Sequence, residues 1–553
     1  MPPSSEDFQT ALRVLEQLLE HREDLLEFDL DLRKRLLEIA GRLAQPEPNE
    51  QRYLARAARK KRRRETKAAD EALLSQAGIR KKRLEPVFVT PDPRTLGDAG
   101  GGTHETRILE EATGEKEETT GVHEETTGIH ETSGVHETHG VFATLAAGID
   151  LGVEDPLRLK DARVCYVCKK PRDRVHFFYD QLCGACGDFN YAKRSQTANL
   201  VGRTALISGA RVKIGYQAAI MLLRAGARVI VTTRFPRDAA RRYAAETDFE
   251  TWRDRLAVYG LDLRHTPSVE AFTRHLAEQE SRLDFVLHNA CQTVRRPAGF
   301  YGHLMDGELG PSELVPESAR PLLAAHEALT ASRRRLGTAS DTSDEDPTRP
   351  VGLHASAALS QLALAPEDHV HDETIFPRGE LDQDQQQIDK RGINSWRLAL
   401  EEVGTVELLE VQLVNSIAPF VMNARLKALM LRERTFDKHI VNVSAMEGQF
   451  YRRFKTDKHP HTNMAKAALN MMTRTSAPGY AKDGIFMNSV DTGWVTDEDP
   501  AHIAARKTAE NGFHPPLDIV DGAARIVDPI FDGLNTGRHV WGQFIKDYRP
   551  AAW

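Results

Sequence analysis

The chain has 553 residues, enough for three or four domains of ordinary size. Hydrophobic residues make up 40% and charged residues 28%, and the net charge is −7, so a large core is affordable and a globally basic nucleic-acid coat is excluded. No apolar run approaches the roughly 18 residues of a membrane-spanning helix. The start, MPPSSEDFQT, lacks the order of a secretion signal, and five cysteines are too few for a disulfide framework. A reducing, cytoplasmic compartment is expected.

Residues 1–90 read as a helical region. Leu15, Leu18, Leu25, Leu32, Leu36, Ile39 and Leu43 recur at three- and four-residue spacings, interrupted by Arg22 and Asp29. A helical hairpin packed on its own protein is preferred to a coiled coil or docking helix. The segment ends near Pro46 and Pro48. The run Arg59, Lys60, Lys61, Arg62, Arg63, Arg64, followed by Lys81, Lys82 and Arg83, reads as a solvated helix face. RNA, anionic lipid or a partner protein are its alternative uses. Residues 91–150 contain the imperfect repeat GVHEETTGIHETSGVHETHG, rich in Thr, Glu and Gly. Such a stretch cannot offset its ordering entropy and is expected to be a disordered linker. Its histidines (His123, His130, His136, His139) are read as repeat expansion rather than metal ligands.

Residues 160–192 carry Cys165-x2-Cys168-x14-Cys183-x2-Cys186. Two CxxC knuckles at this spacing supply four thiolates to one point, which suits a structural Zn²⁺ with no open coordination position. The pattern is similar to a zinc ribbon.

From 199 to the end, short β-rich runs alternate with helical stretches, broken by an insertion at 305–392 that includes ASDTSDEDPTRP and DQDQQQ and is expected to be exposed and partly disordered. The fold class expected is α/β, a doubly wound parallel (Rossmann) sheet. The strand Ala205-Leu206-Ile207 breaks at Ser208-Gly209, leads through Ile214-Gly215 into a helical period, and is followed by ARVIVTTR. This is the order in which a glycine turn presents a helix N-terminus to a pyrophosphate.

Over residues 199–300 and 405–545 the chain resembles the short-chain dehydrogenase/reductase family. The glycine motif matches at Ser208, Gly209, Ile214 and Gly215, with Lys213 where the family has a glycine. The family's acidic residue at the second strand end is absent. Thr232, Thr233 and Arg234 stand there, with Arg237 nearby, so NADP(H) is expected in preference to NAD(H). The resemblance assigns Asp262 to the adenine amino group. It aligns Asn289 and Ala290 with the NNAG motif, flanked by His288 and Cys291, the latter read as a small buried residue. On the catalytic side it implies Asn415 supporting a water, Ser444 binding a substrate carbonyl, and Lys466 binding ribose and lowering the acid's pKa. The family's tyrosine, four residues before that lysine, is Thr462. An aliphatic alcohol is too weak an acid for the tyrosine's role. His459, His461 and Tyr451 are the nearby replacements. After the sixth strand Asn488, Val490, Gly493 and Thr496 match, Thr492 replaces a proline, and Val495 and Thr496 are expected against the nicotinamide. HVWGQ matches the last strand. The function implied is NADP(H)-dependent oxidoreduction of a small carbonyl or alcohol substrate, with a homo-oligomer as the family's common state. A catalytically silent dinucleotide sensor and a zinc-ribbon adaptor for RNA or protein are the alternatives.

Overall fold

A computed structural model describes residues 3–92, 158–338, 355–369, 372–451 and 455–553. Apart from its first two residues, the linker expected at 91–150 lies outside them, as do its four histidines.

The chain divides into two compact units, 1–72 and 73–553. The first holds the helices Ser5–Glu20 and Leu30–Ala44 and most of Pro48–Leu74. None of residues 3–69 is buried. Leu15, Leu32, Ile39 and Leu43 are all exposed. The interruptions in the leucine stripe explain this. Arg22 opens a short 3₁₀ turn, and Asp29 caps the second helix by accepting from the Asp31 and Leu32 amides. The stripe is therefore split between two short amphipathic helices. The Arg59–Arg64 run is solvent-exposed along its helix.

The second unit is built on an eight-stranded sheet. Its strands are β3 (Thr204–Ser208), β4 (Arg228–Thr233), β5 (Leu256–Gly260), β6 (Phe285–His288), β7 (Lys438–Ser444), β8 (Ile485–Asp491), β9 (Phe544–Lys546) and β10 (Arg549–Ala551), in the order β10-β9-β8-β7-β6-β3-β4-β5. All neighbours run parallel except β9 and β10. β3, β5, β6 and β7 are buried at every residue, as strands covered on both faces must be. One core layer lies under the helices Lys213–Arg224 and Ile519–Thr536. The other lies under Thr266–Gln279, Ala418–Met430 and Pro460–Ala481. The order reverses at β3 and β6, so a crevice opens at their carboxyl ends. The last parallel strand begins at Phe544, after HVWGQ rather than within it. Gly542, at φ +66°, turns the chain just before the pairing starts.

The stretch Thr405–Met430 is long and apolar enough to cross a membrane by length and composition alone, with a mean hydropathy of 1.2 over its best window. Half of that window is buried in the fold, where Ala418, Met422 and Leu426 join the second core layer.

The described part of the 305–392 insertion is packed. Ala357 and Phe376 form an apolar cluster with Phe235, Phe300, Tyr301 and Leu304. Leu322 and Leu323 join the first core layer. Buried Arg295 binds Asp368 at 2.7 Å and Glu410 at 3.1 Å, pinning the insertion to the helix Thr405–Gln412. Charges are tolerated there because each is paired. Residues 339–354 and 370–371 lie outside the described residues.

Candidate active site and metal centre

The turn after β3 is fixed by close approach. Gly209 has φ +69°, and a Cβ on it would lie 2.7 Å from the Ala290 Cα. A Cβ on Gly215 would lie 2.3 Å from the Asn289 Nδ2 and 2.5 Å from the Gly209 carbonyl oxygen. Asn289 donates to the Gly209 carbonyl at 2.8 Å, and the Ala290 amide donates to the Ser208 hydroxyl at 3.2 Å. The β6 end thus locks the β3 turn and leaves the N-terminus of Lys213–Arg224 bare. Lys213 takes a left-handed φ of 58° in the glycine's place, at a cost of about 1–2 kcal/mol. Its Nζ lies 3.9 Å from Asp384 of the insertion. Burial raises the Asp384 pKa against the pull of that ammonium. Ile214 packs between two apolar clusters behind the turn.

At the β4 end, Arg234 donates to the Tyr301 hydroxyl at 2.6 Å and lies 4.5 Å from that ring's centre. Burial opposes ionisation of the Tyr301 phenol, but Arg234, Arg296 and Arg211 outweigh it and lower its pKa. Arg211 binds Asp238 and Gln386. Arg237 is spent on the Gly307 and Gly310 carbonyls and does not line the cleft. Asp262 is buried and gripped through both oxygens by Arg264, which also reaches Glu410 at 3.0 Å. Burial works against the Asp262 carboxylate, yet Arg264 holds its pKa below the usual range.

These residues line one cleft of about 450 Å³, within the usual size of ligand sites. Gly209, Lys213, Ile214, Arg234, Asp262, Asn289 and Ala290 stand at one end, and Ser444, Lys466, Thr492 and Thr496 at the other. Lys466 is buried and donates to the Val443 carbonyl at 2.7 Å. The Ser444 hydroxyl donates to the Asn470 Oδ1 at 2.6 Å, so it is engaged within the protein. Asn415 sits in a π turn, Leu413–Ile417, and its amide clamps the Gln292 backbone from both sides, accepting at 2.7 Å and donating at 3.0 Å. Such turns mark functional sites, although this one spends its amide on protein. Thr496 donates to Glu498 at 2.7 Å. Thr462 is buried with its hydroxyl unpartnered, and it does not line the cleft. Neither do the three replacement candidates. His459 stacks on Trp396 at 3.9 Å, buried His461 lies 3.4 Å from Glu407, and Tyr451 is half exposed. Cys291, expected to be buried, is exposed and lines the cleft.

Sequence reasoning missed Asn470, one helical turn beyond Lys466; its i+4 spacing was the available signal. It also missed Glu498, two residues beyond Thr496, and Tyr301 and Asp384, which carry no local pattern and arrive by long-range packing, Tyr301 in the cleft lining and Asp384 beside Lys213.

The four cysteines converge, with their sulfurs within 4.8 Å of one another. Cys165 and Cys168 lie in the loop joining β1 (Arg158–Val164) to antiparallel β2 (Pro171–Arg174). The second pair departs from a ribbon: Cys183 caps the helix Gly184–Lys193 and Cys186 lies in its first turn. A CxxC spacing fits either setting, and a helix N-terminus stabilises thiolates. Burial opposes ionisation of Cys165, but the backbone N–H groups of Cys183, Cys168 and Val167 bring its pKa down to about 7. Burial raises Cys183 and Cys186.

A doubly wound parallel sheet with a glycine turn at its switch point defines a Rossmann-type α/β protein. A family model described as short chain dehydrogenase matches residues 203–301. An uncharacterized protein of Acanthamoeba polyphaga mimivirus is 31% identical over 383 residues, 67% of this chain and 71% of that protein. Dehydrogenase/reductase SDR family member 13 of Bos taurus is 36% identical over 104 residues, 18% of this chain and 27% of its own length. The NADPH-bound carbonyl reductase from chicken fatty liver aligns over 64% of this chain and 100% of its own, at 15% identity and a TM-score of 0.38. Residues 203–301 are thus similar to the short-chain dehydrogenase/reductase family.

Proposed function

We propose that the protein is an NADP(H)-dependent oxidoreductase acting on a small carbonyl or alcohol substrate, with Zn²⁺ held by Cys165, Cys168, Cys183 and Cys186. The observation that carries the reading is the turn itself. Gly209 and Gly215 leave no room for a side chain, and the amine that replaces the third glycine lies beside Asp384. A bare helix N-terminus with this turn suits a diphosphate. Arg234, engaged by a phenol rather than a carboxylate, suits a 2′-phosphate. Asp262, paired with Arg264, lines the end of the cleft this reading gives to the adenine.

The bound nicotinamide supplies or accepts a hydride. The protein supports the proton and the orientation. Lys466 uses one N–H on the Val443 carbonyl and keeps two more for a ribose or a water. With Thr462 out of the cleft, the Lys466 ammonium is the acid this reading assigns to the developing alkoxide. Ser444, held by Asn470, orients the substrate through its lone pairs only when an N–H or O–H faces it. Pairing of two copies also belongs to this reading: Ile417, Phe420, Met464 and Met471 are exposed large apolar residues on two helices of the sheet layer.

Calorimetry with NADPH and NADH, followed by NADPH oxidation with a panel of aldehydes and ketones, tests the proposal. Binding with turnover supports it. Binding without turnover selects a sensor, the outcome favoured by buried Thr462 and engaged Ser444. Absence of binding to either cofactor overturns both.

A further inference from the structure

The metal module has no core of its own. Cys165, Phe178, Tyr179 and Leu182 share one buried cluster with Val495, Leu517, Ile519 and Val520. Val495 lies between Trp494 and Thr496, and Thr492 and Thr496 line the cleft beside Ser444 and Lys466. The contact is also polar and directional. Tyr166, inside the first CxxC, accepts the Trp494 amide on its hydroxyl at 3.0 Å. Gln181, two residues before the second CxxC, donates to the His514 carbonyl at 2.6 Å, and its own carbonyl accepts the Tyr166 amide at 2.9 Å. Tyr179 donates to Asp521 at 2.5 Å, and Arg194 binds Asp518 at 2.7 Å and Asp521 at 2.9 Å. The Leu517 amide returns to the Trp494 carbonyl at 3.3 Å. The 493–517 segment is therefore held at both ends by residues interleaved with the cysteines.

The four sulfurs lie within 4.8 Å of one another, close enough to converge on one thiophilic ion. Cys168 and Cys183 sulfurs are 3.7 Å apart, near the edge of about 3.8 Å expected for four thiolates at 2.3 Å from zinc. A module of some thirty residues with a shared core depends on such an ion for its order.

We propose that metal binding by Cys165, Cys168, Cys183 and Cys186 sets the order of the cleft wall Gly493–Leu517, with Tyr166 as the positioning residue that transmits it. No ligand of the metal touches the reacting groups; the module acts through the Trp494 backbone. The substrate consequence rests on the oxidoreductase reading above, whereas the ordering does not.

Hydrogen exchange on the full chain, with zinc content measured alongside, tests this. Removing the ion with a chelator is expected to speed exchange at Trp494 and Leu517 by at least about tenfold, while β3 and β6 amides keep their protection. Should the whole domain lose protection, Tyr166→Phe decides. It retains the ring and the four cysteines, and is expected to keep full zinc content yet exchange the Trp494 amide several-fold faster. Unchanged exchange at Trp494 in zinc-loaded Tyr166→Phe, or unchanged exchange across 493–517 in metal-free but folded protein, overturns the proposal. A purified chain that carries no zinc and takes none up also overturns it. Loss of NADPH binding in the wild type would sink the oxidoreductase reading and leave the exchange result standing.

Discussion

The two ends of the cleft have departed from the family pattern in different ways. At the glycine-turn end the departures are compensated. Lys213 replaces a glycine but accepts the left-handed backbone and finds Asp384, and Arg234 replaces an acidic residue but gains Tyr301. At the β7 end they are not. Thr462 is buried with an unpartnered hydroxyl, and Ser444, although it matches the pattern, is turned to Asn470. The contrast separates holding a dinucleotide from protonating its product, because the first needs backbone room and charge while the second needs an acid of suitable pKa.

The contrast breaks most sharply at Lys466. Lys466→Met is expected to lower turnover by at least about 100-fold, with NADPH affinity falling much less, measured by single-turnover NADPH oxidation and calorimetry. Equal losses in both would erase the division between the two ends. Arg234→Ala tests the opposite end. Loss of charge-assisted hydrogen bonds to a phosphate, about 1.5–3 kcal/mol, predicts roughly 10- to 100-fold weaker NADPH binding and unchanged NADH binding. Thr462→Tyr sharpens the comparison from the other direction. A phenol on the Lys466 face is expected to raise turnover about tenfold, offset by about 1–3 kcal/mol of overpacking seen as a lower Tm. A stable variant with no gain would show that the acid at this end is not what limits the reaction.

The smallest effect is in pH. Glu308, in the insertion, is buried behind the amides of Arg237 and Asp238, and burial lifts its pKa from 4.5 to about 7. Between those values the folded chain binds more protons than the unfolded one, so this contribution is full below about 4.5 and fades as pH rises to about 7. Glu308→Gln is expected to gain stability relative to wild type as pH rises through that window, read as the Tm difference from pH 5 to 8.

What was legible in the sequence was local. The Ser208–Gly215 turn, the β-rich runs and the helix bearing Lys466 each announce themselves within about a dozen residues, through apolar runs and glycine spacing. Asn470 was within reach by the same helical spacing. Tyr301 and Asp384 were not, because they approach Arg234 and Lys213 from segments distant in sequence. The leucine period of residues 7–45 announced amphipathic helices but not that Arg22 and Asp29 would divide it between two of them. The cysteine spacing announced convergence but not that Cys183 would open a helix, since a two-residue gap closes equally well in a hairpin and on a first helical turn.

The Lys213–Asp384 pair gives the cleft mouth a built-in counter-ion. An arriving diphosphate does not meet a lone cation; it joins a balance in which another anion already competes for the same ammonium. Attraction from afar is muted by that neighbour. Dinucleotide association by this protein is accordingly expected to slow less with added salt than it would with Asp384 replaced by asparagine.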